Sequence, residues 1–326
     1  MVSVSIIVPC YNEEEILPLT IEKLLNVKKR LVSKKLISED SKILFVDDGS
    51  HDKTWELITN GSHKYNCISG IKLAKNVGHQ NALIGGILSS HEDVVISIDA
   101  DLQDNVDLME QMILEFKAGN DIVYAARKSR LTDSFFKKTT AQFFYKLMLV
   151  MGVEIIYNHA DYRLLSRRVV EALKKFKEVN LFLRGVIPLI GFQTSTVYYD
   201  RAERVAGESK YPFFKMLAFA INGITSFSVV PLRMITFVGL IFSFLSLCVG
   251  GWAFYVKIFT ENSIPGWTSL LIPLSGIGGV QLFALGIVGE YIGKIYEEIK
   301  SRPRFIVDKE TQKTDELFVN PESKSH

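Results

Sequence analysis

Asp99 and Asp101 stand two residues apart at the end of a run, Val94 to Ile98, in which every position but one is β-branched. Such a run predicts a buried parallel strand, and carboxylates at its C-terminal end fall where open α/β sheets bind ligands. Two carboxylates at this spacing suit a hard cation, Mg²⁺ or Mn²⁺, which in turn neutralises a diphosphate. A solvated acidic turn would carry the same residues, so the neighbouring segments decide between the two.

Those segments repeat the pattern. Ser3 to Pro9 predicts a first strand stopped by Pro9, with Tyr11, Asn12 and Glu13 on the turn behind it; Tyr11 would either pack there or stack on a nucleobase. Helical spacing runs from Glu13 to Leu25, with acidic residues in the first turn where the macrodipole favours them. Lys42 to Val46 predicts a second strand, ending in Asp47 and Asp48, followed by a helix from about Lys53. Asp48 or Ser50 would cap that helix, leaving Asp47 at the strand tip as the better ligand contact.

Ile68 to Leu73 predicts a third strand, and Asn76 to Gln80 a polar turn opening a helix from Asn81 to Ser89. His79 has no partner at metal-ligand spacing and reads as a turn residue. A helix from Val106 to Lys117, closed by Gly119, leads to a strand from Asp121 to Ala126. Arg127 ends that strand, a cation suited to oppose phosphates or a sugar at the same edge as Asp47, Asp99 and Asp101. Asp161 and its neighbours precede a helix from Arg167 to Phe176. Alternating strands and helices predict an α/β domain with a largely parallel sheet.

The 326 residues carry a net charge of +2, which implies no global attraction to nucleic acid. Cys10, Cys67 and Cys248 lie far apart and show no metal-ligand spacing, as expected of a reduced, cytosol-facing catalytic part. The N-terminus has no basic stretch and cleavage site of a signal peptide. Ser134 to Met151 alternates lysines with aromatics and would be core or an interfacial helix.

From Pro212 the composition becomes apolar. Phe213 to Val230, punctuated by Lys215 and Asn222, predicts interfacial helices, and Met234 to Val256 carries no charge and is long enough to cross about 30 Å of hydrocarbon. Thr268 to Val288 is a second uncharged run. Lys210, Lys215 and Arg233 precede the pair and Lys294, Lys300, Arg302 and Arg304 follow it, with only Glu261 between, so the positive-inside bias puts both ends in the cytosol. Trp252 and Trp267 fit an aromatic belt, and the small pair Ser275 and Gly279 would let two helices or two protomers approach closely, giving a homo-oligomer. The expected layout is a catalytic domain over 1–211, interfacial helices over 212–232, a transmembrane hairpin over 233–292 with spans of 234–256 and 268–288, and a cytosolic tail over 293–326, polar after Asp308.

Pro9-Cys10-Tyr11-Asn12-Glu13, Asp47-Asp48-Gly49-Ser50, Asp99-Ala100-Asp101-Leu102-Gln103-Asp104 and Asp161-Tyr162-Arg163-Leu164-Leu165 follow one another in one order, ahead of the hairpin. In this the chain resembles family 2 glycosyltransferases of the dolichol-phosphate mannose synthase type, above all the bacterial polyprenyl-phosphate branch with two C-terminal transmembrane helices. The likeness runs from about residue 3 to 305.

The resemblance implies a Rossmann-like GT-A fold, a UDP- or GDP-sugar donor, and Mg²⁺ or Mn²⁺. It also implies a polyprenyl phosphate acceptor, undecaprenyl or dolichyl, on the cytosolic leaflet of the cell membrane. By motif position Pro9, Tyr11, Glu13, Asp47, Asp99 and Ala100 would hold the nucleotide, and Asp101 and Gln103 the metal. Arg127, Arg201 and Lys210, with Arg204 in the same basic stretch, would meet phosphates of donor or acceptor. Asp161 would face the acceptor.

One inverting transfer of a single sugar is the favoured reading. A polysaccharide synthase is the second; the chain lacks the Gln-x-x-Arg-Trp motif expected of processive members. A non-catalytic membrane scaffold that binds nucleotide-sugars is the third, and intact Asp101, Gln103 and Asp161 argue against it. A phosphate monoester is already largely a dianion at neutral pH, so Asp161 is expected to orient rather than to act as a base. Capping of the helix at Arg167 is its alternative role.

Overall fold

The structure, a computed structural model, describes residues 1–127, 159–178, 183–199, 230–259 and 267–311. The chain divides into two units, one holding a sheet with its helices and the other two long helices.

In the first unit β1 (Val4–Cys10), β2 (Lys42–Asp47), β3 (Ile68–Leu73) and β4 (Val94–Ser97) lie parallel, joined by α1 (Leu17–Ser33), α2 (Thr54–Lys64) and α3 (His79–Ser89). Alternate residues of β1 face opposite sides. Val4, Ile6 and Val8 share a core with Leu17, Leu24 and Leu31, which recur every seven residues along α1. Leu24→Ala in that stripe would cost about 2–5 kcal/mol. Ile7 points the other way: a Cβ on Gly86 of α3 would sit 2.4 Å from its Cγ2 and 2.8 Å from that of Val46, so only glycine lets α3 lie this close to the sheet.

Pro9 does not stop β1, which continues through Cys10 with Pro9 paired to Val46. The ladder explains why. Ile7 faces β4, its carbonyl accepting the Ile98 N–H at 3.0 Å, and Pro9 faces the same side two residues on, where β4 has already ended. The missing N–H therefore falls where no partner strand remains. The first helix also starts later than its spacing predicts. Pro18 occupies its first turn, a favoured place, and Glu13 to Glu15 form the turn before it because their backbone is bound to the loop after β2.

A 3₁₀ turn (Val106–Leu108) and α4 (Met109–Lys117) lead to β5 (Ile122–Arg127), and β6 (His159–Ser166), α5 (Arg167–Leu173), α6 (Leu183–Leu189) and β7 (Thr194–Tyr199) follow. The sheet is mostly parallel but mixed. Its order is β7-β5-β6-β4-β1-β2-β3-β8, with β6 antiparallel to both β4 and β5. Asp161 thus lies on a strand and not at the cap of a helix, and α5 ends at Leu173, short of Phe176.

The eighth strand, β8 (Val307–Glu310), runs antiparallel along the outer edge of β3. It includes residues that read as polar tail. Edge pairing is made by the backbone, through Ala74 N–H to Ile306 C=O at 2.9 Å and Thr311 N–H to Gly70 C=O at 3.0 Å, and so leaves little trace in side-chain pattern.

The second unit contains α7 (Val230–Phe259) and α8 (Trp267–Lys300), of 30 and 34 residues. The second helix outruns its apolar stretch by a polar segment rich in helix formers, where Lys300 lies 4.0 Å over the Tyr296 ring, and it stops at Ser301, whose φ is 45°. Among the described residues no helix is long and apolar enough to cross a membrane.

Candidate active site

The loops after β1 and β2 brace each other at the C-terminal edge of the sheet. Asn12, at φ 54°, receives no side-chain help from its own helix; its N–H donates to Ser50 Oγ at 3.0 Å, its Oδ1 accepts from His51 N–H at 2.9 Å, and Glu13 N–H donates to Thr54 Oγ1 at 2.9 Å. Tyr11, 42% exposed, stands on this brace with an open ring face. Asp47 ends β2. Its Oδ1 accepts the Ser50 N–H at 3.0 Å, while its buried Oδ2, in an ion pair with Lys72 Nζ at 3.9 Å, has no hydrogen-bond partner among the described residues. A buried carboxylate oxygen without a hydrogen bond is costly and suits a donor such as a nucleoside N–H or O–H.

Asp48 does not cap α2. Its carboxylate accepts the N–H groups of Val77 at 2.7 Å and Gly78 at 2.9 Å, which fixes the turn ahead of α3, and burial raises its pKa. Asp52 takes the capping part, accepting the Thr54 N–H at 3.0 Å.

β4 stops at Ser97, two residues short of the first acid, and the chain turns sharply at Leu102, a non-glycine residue at φ 55°. That conformation costs of order 1–3 kcal/mol and persists only where its surroundings hold it. Here Thr20 Oγ1 donates to the Ala100 carbonyl at 2.8 Å, Gln103 N–H to Asp101 Oδ1 at 3.2 Å, and the Tyr199 hydroxyl to buried Asp104. The turn leaves Asp101 half-buried beside Asp99, with Gln103 and Ala100 buried beneath.

The register of β6 on β4 pairs Ser97 with Arg163, and just beyond it Asp99 and Asp161 come close enough to share one neighbour, His79, whose Nε2 lies 3.4 Å from the first and 3.6 Å from the second. Like charges so placed repel. Cations surround Asp161: Arg163 Nη2 donates to Oδ1, Arg184 of α6 brings Nε to Oδ1 at 3.2 Å and Nη2 to Oδ2 at 3.0 Å, and His79 Nε2 lies 3.6 Å from Oδ2. Burial alone would raise the Asp161 pKa, but the neighbouring His79 and the two guanidinium groups hold it well below the usual carboxylate range. Asp161 is therefore an anion with its charge engaged, a poor proton acceptor.

Asp99 differs. Desolvation pushes its pKa up to about 6, with Asp161, Asp104 and Asp101 adding to the rise and His79, 3.4 Å away, opposing it. His79 is desolvated as well, which works against its charging, yet the nearby carboxylates of Asp161 and Asp99 outweigh this and its pKa is raised.

A divalent cation fits this crowd. Among the described residues no three His, Cys, Asp or Glu side chains form a complete ion cage. Asp101 and Gln103 would offer two oxygens, and a diphosphate with water the remainder, as Mg²⁺ commonly takes its ligands. Burial, with Asp161, Asp104 and Asp101 adding to it, makes the ionised form of Asp99 costly, a cost that a cation beside it would lower.

The structure thus brings Pro9, Tyr11, Glu13, Asp47, Asp99, Ala100, Asp101, Gln103 and Asp161 to one sheet edge. Arg127 ends β5, paired with Tyr199. Arg201, Arg204 and Lys210, like the 134–151 and 213–229 segments, lie outside the described residues. Sequence reasoning passed over His79 and Arg184. The signal for His79 was its place on a turn after a parallel strand, the same edge as the acids; Arg184 had none, being a single arginine on a short apolar helix.

The chain matches the family model Glycosyl transferase family 2 over residues 5–174. It is 51% identical over 306 residues to the uncharacterized glycosyltransferase YkoT of Bacillus subtilis (strain 168), covering 93% of this chain and 90% of that one. It is 39% identical over 311 residues to the bactoprenol glucosyl transferase of Shigella phage SfV, covering 95% and 99%. To the prophage bactoprenol glucosyl transferase homolog of Escherichia coli (strain K12) it is 37% identical, covering 93% and 98%.

Proposed function

The chain belongs to glycosyl transferase family 2, and from that premise we propose that it is a membrane-bound enzyme moving one sugar from a UDP- or GDP-sugar to a polyprenyl phosphate on the cytosolic leaflet, with inversion. The observation that carries this is the meeting of Asp99, Asp101 and Asp161 at the sheet edge where Asp47 also lies, its buried Oδ2 without a hydrogen bond among the described residues. The acceptor is supported by relatives named as bactoprenol glucosyl transferases, similar across nearly the whole chain.

Asp47, Glu13 and Tyr11 hold the nucleoside, with Pro9 and Ala100 shaping its floor and Asp99 reaching its ribose. A divalent cation, Mg²⁺ or Mn²⁺, on Asp101 and Gln103 would neutralise the departing diphosphate. Arg127, Arg201, Arg204 and Lys210 hold donor and acceptor phosphates. An acceptor oxygen attacks the anomeric carbon from the face opposite the nucleotide, which inverts it, and the nucleoside diphosphate leaves. Asp161 orients the sugar and offsets positive charge growing at the ring.

The membrane part of the reading rests on the two long helices. The helices α7 and α8 run for 30 and 34 residues. Met234 to Val256 has no charged residue, and Phe237, Phe244, Trp252, Leu270 and Leu282 are all more than 60% exposed, a surface that lipid would cover. Such an anchor raises the effective concentration of a lipid acceptor at the site.

The test is a panel of labelled UDP- and GDP-sugars offered to membranes containing the full chain and a short polyprenyl phosphate. Label from one donor should enter the organic-extractable lipid. Label found only in polymer points to a polysaccharide synthase, and binding without transfer from any donor to a scaffold.

A further inference from the structure

His79 stands between the donor-side and acceptor-side carboxylates, with Nε2 3.4 Å from Asp99 Oδ1 and 3.6 Å from Asp161 Oδ2. We propose that His79 is a positioning residue for sugar transfer, tying Asp99 to Asp161 so that donor and acceptor are held in register.

The strands create the need. Asp99 and Asp161 both lie within 4 Å of one ring nitrogen, and two carboxylates brought this close repel unless something stands between them. Arg163 and Arg184 both neutralise Asp161 from its own side. His79 reaches both Asp161 and Asp99.

The fold spends several groups on aiming that imidazole. Asp48 binds the backbone of Val77 and Gly78. Gly49, at φ +68°, runs so close beneath that a Cβ would sit 2.7 Å from Asn76 N and from Lys75 C. Asn81 Nδ2 donates to the Val77 carbonyl at 2.9 Å, closing the turn from the helix side. Gln80 Oε1 accepts the Leu183 N–H at 3.4 Å, joining the start of α3 to α6, which carries Arg184. An ordinary turn needs none of this; a turn that must deliver one ring nitrogen to two carboxylates does.

This assignment rests on the proposed transfer, in which Asp99 serves the donor and Asp161 the acceptor side. Reacting atoms must lie about 3–3.5 Å apart, and a misplacement of 1 Å costs up to roughly a hundredfold in rate. Loss of the tie should therefore fall on turnover and spare the separate binding of each substrate.

The experiment is steady-state kinetics on the full chain in membranes. His79→Ala should lower kcat roughly ten- to a hundredfold, with donor KM, nucleoside diphosphate affinity and Tm nearly unchanged. His79→Gln, whose amide nitrogen reaches close to the place of Nε2, should recover most of the loss. Combined with Asp161→Asn, His79→Ala should add little further loss, since both variants cut the same tie. A wild-type rate in His79→Ala, a loss that Gln does not relieve, or losses that multiply in the double variant would each overturn the assignment while leaving the transfer reading intact. A wild-type chain that moves no sugar to the lipid phosphate overturns both.

Discussion

Arg163 turns its guanidinium back onto the carboxylate of Asp161, two residues earlier on the same face of β6. The arginine is fully buried, and its Nε and Nη1 find no hydrogen-bond partner among the described residues. A charge so placed is retained only because the carboxylate answers it. Arg163→Met keeps the volume and removes the answer, leaving Asp161 to Arg184 and His79. The loss of stability should be about 3 kcal/mol, the lower end of what breaking a buried pair costs. Urea unfolding of the full chain in detergent measures it, and a change below about 1 kcal/mol would mean the pair is far better hydrated than its burial implies.

The depressed pKa of Asp161 has two consequences of definite sign. A carboxylate with a folded pKa below its unfolded value near 3.9 adds stability that is present above that value and lost as pH falls through the folded one. Asp161→Asn should therefore flatten the acid side of the stability curve below about pH 4. The same variant should have a low kcat at every pH from 6 to 9, because orientation is lost and no proton transfer is. Recovery of turnover at alkaline pH would show that Asp161 had been acting as a base.

Asp101→Asn replaces an anionic oxygen with an amide that hard cations bind less well. Turnover should fall to a few per cent or less, and nucleoside diphosphate binding should lose its dependence on Mg²⁺ or Mn²⁺. Excess EDTA should reproduce the effect in the wild type. Full activity in EDTA would remove the cation from the reaction.

Much of the fold was legible because buried parallel strands announce themselves as short β-branched runs ended by acids, as at Val94 to Ile98 and Lys42 to Val46. What escaped has physical reasons. β6 carries Asp161 and Arg163 in its middle, and a strand with charged residues on a covered face looks like a loop until the two are seen to neutralise each other. β8 pairs through its backbone at an edge and needs no apolar pattern. Asp47, Asp99 and Asp101 were legible singly, since each stands at or just past the end of a parallel strand. Their partners were not, because His79 and Arg184 reach Asp161 across 82 and 23 positions of sequence, through a register that only the folded sheet sets.

Gly49→Ala tests how tightly the turn ahead of α3 is held. The new Cβ would meet two backbone atoms at 2.7 Å in a conformation that already disfavours side chains. A loss of about 1–3 kcal/mol is expected. Because the turn must move to make room, kcat should fall as it does in His79→Ala, and the two substitutions together should be no worse than the stronger one. A stability loss with unchanged kcat would show that the turn yields without displacing the imidazole.

The chain that leaves α8 returns to the sheet, and this return should matter to stability before it matters to turnover. Arg304 donates to the carbonyls of Phe176 at 2.6 Å and Glu178 at 2.7 Å, Phe305 lies against Gly85 of α3, and β8 covers the outer edge of β3. Ending the chain at Ser301 uncovers that edge, with the unpaired backbone groups that promote association between molecules. The shortened protein should aggregate at concentrations where the full chain stays dispersed in detergent. Phe305→Ala is the gentler probe. The ring is only half-buried, so its loss should cost about 1 kcal/mol. Gly85 lies six residues beyond His79 along α3, more than a full turn from the carboxylates, so kcat should stay within about twofold, well short of the hundredfold that a misplaced site can lose. A large drop in kcat at unchanged Tm would reverse this order and make the returning segment part of the machinery that places His79.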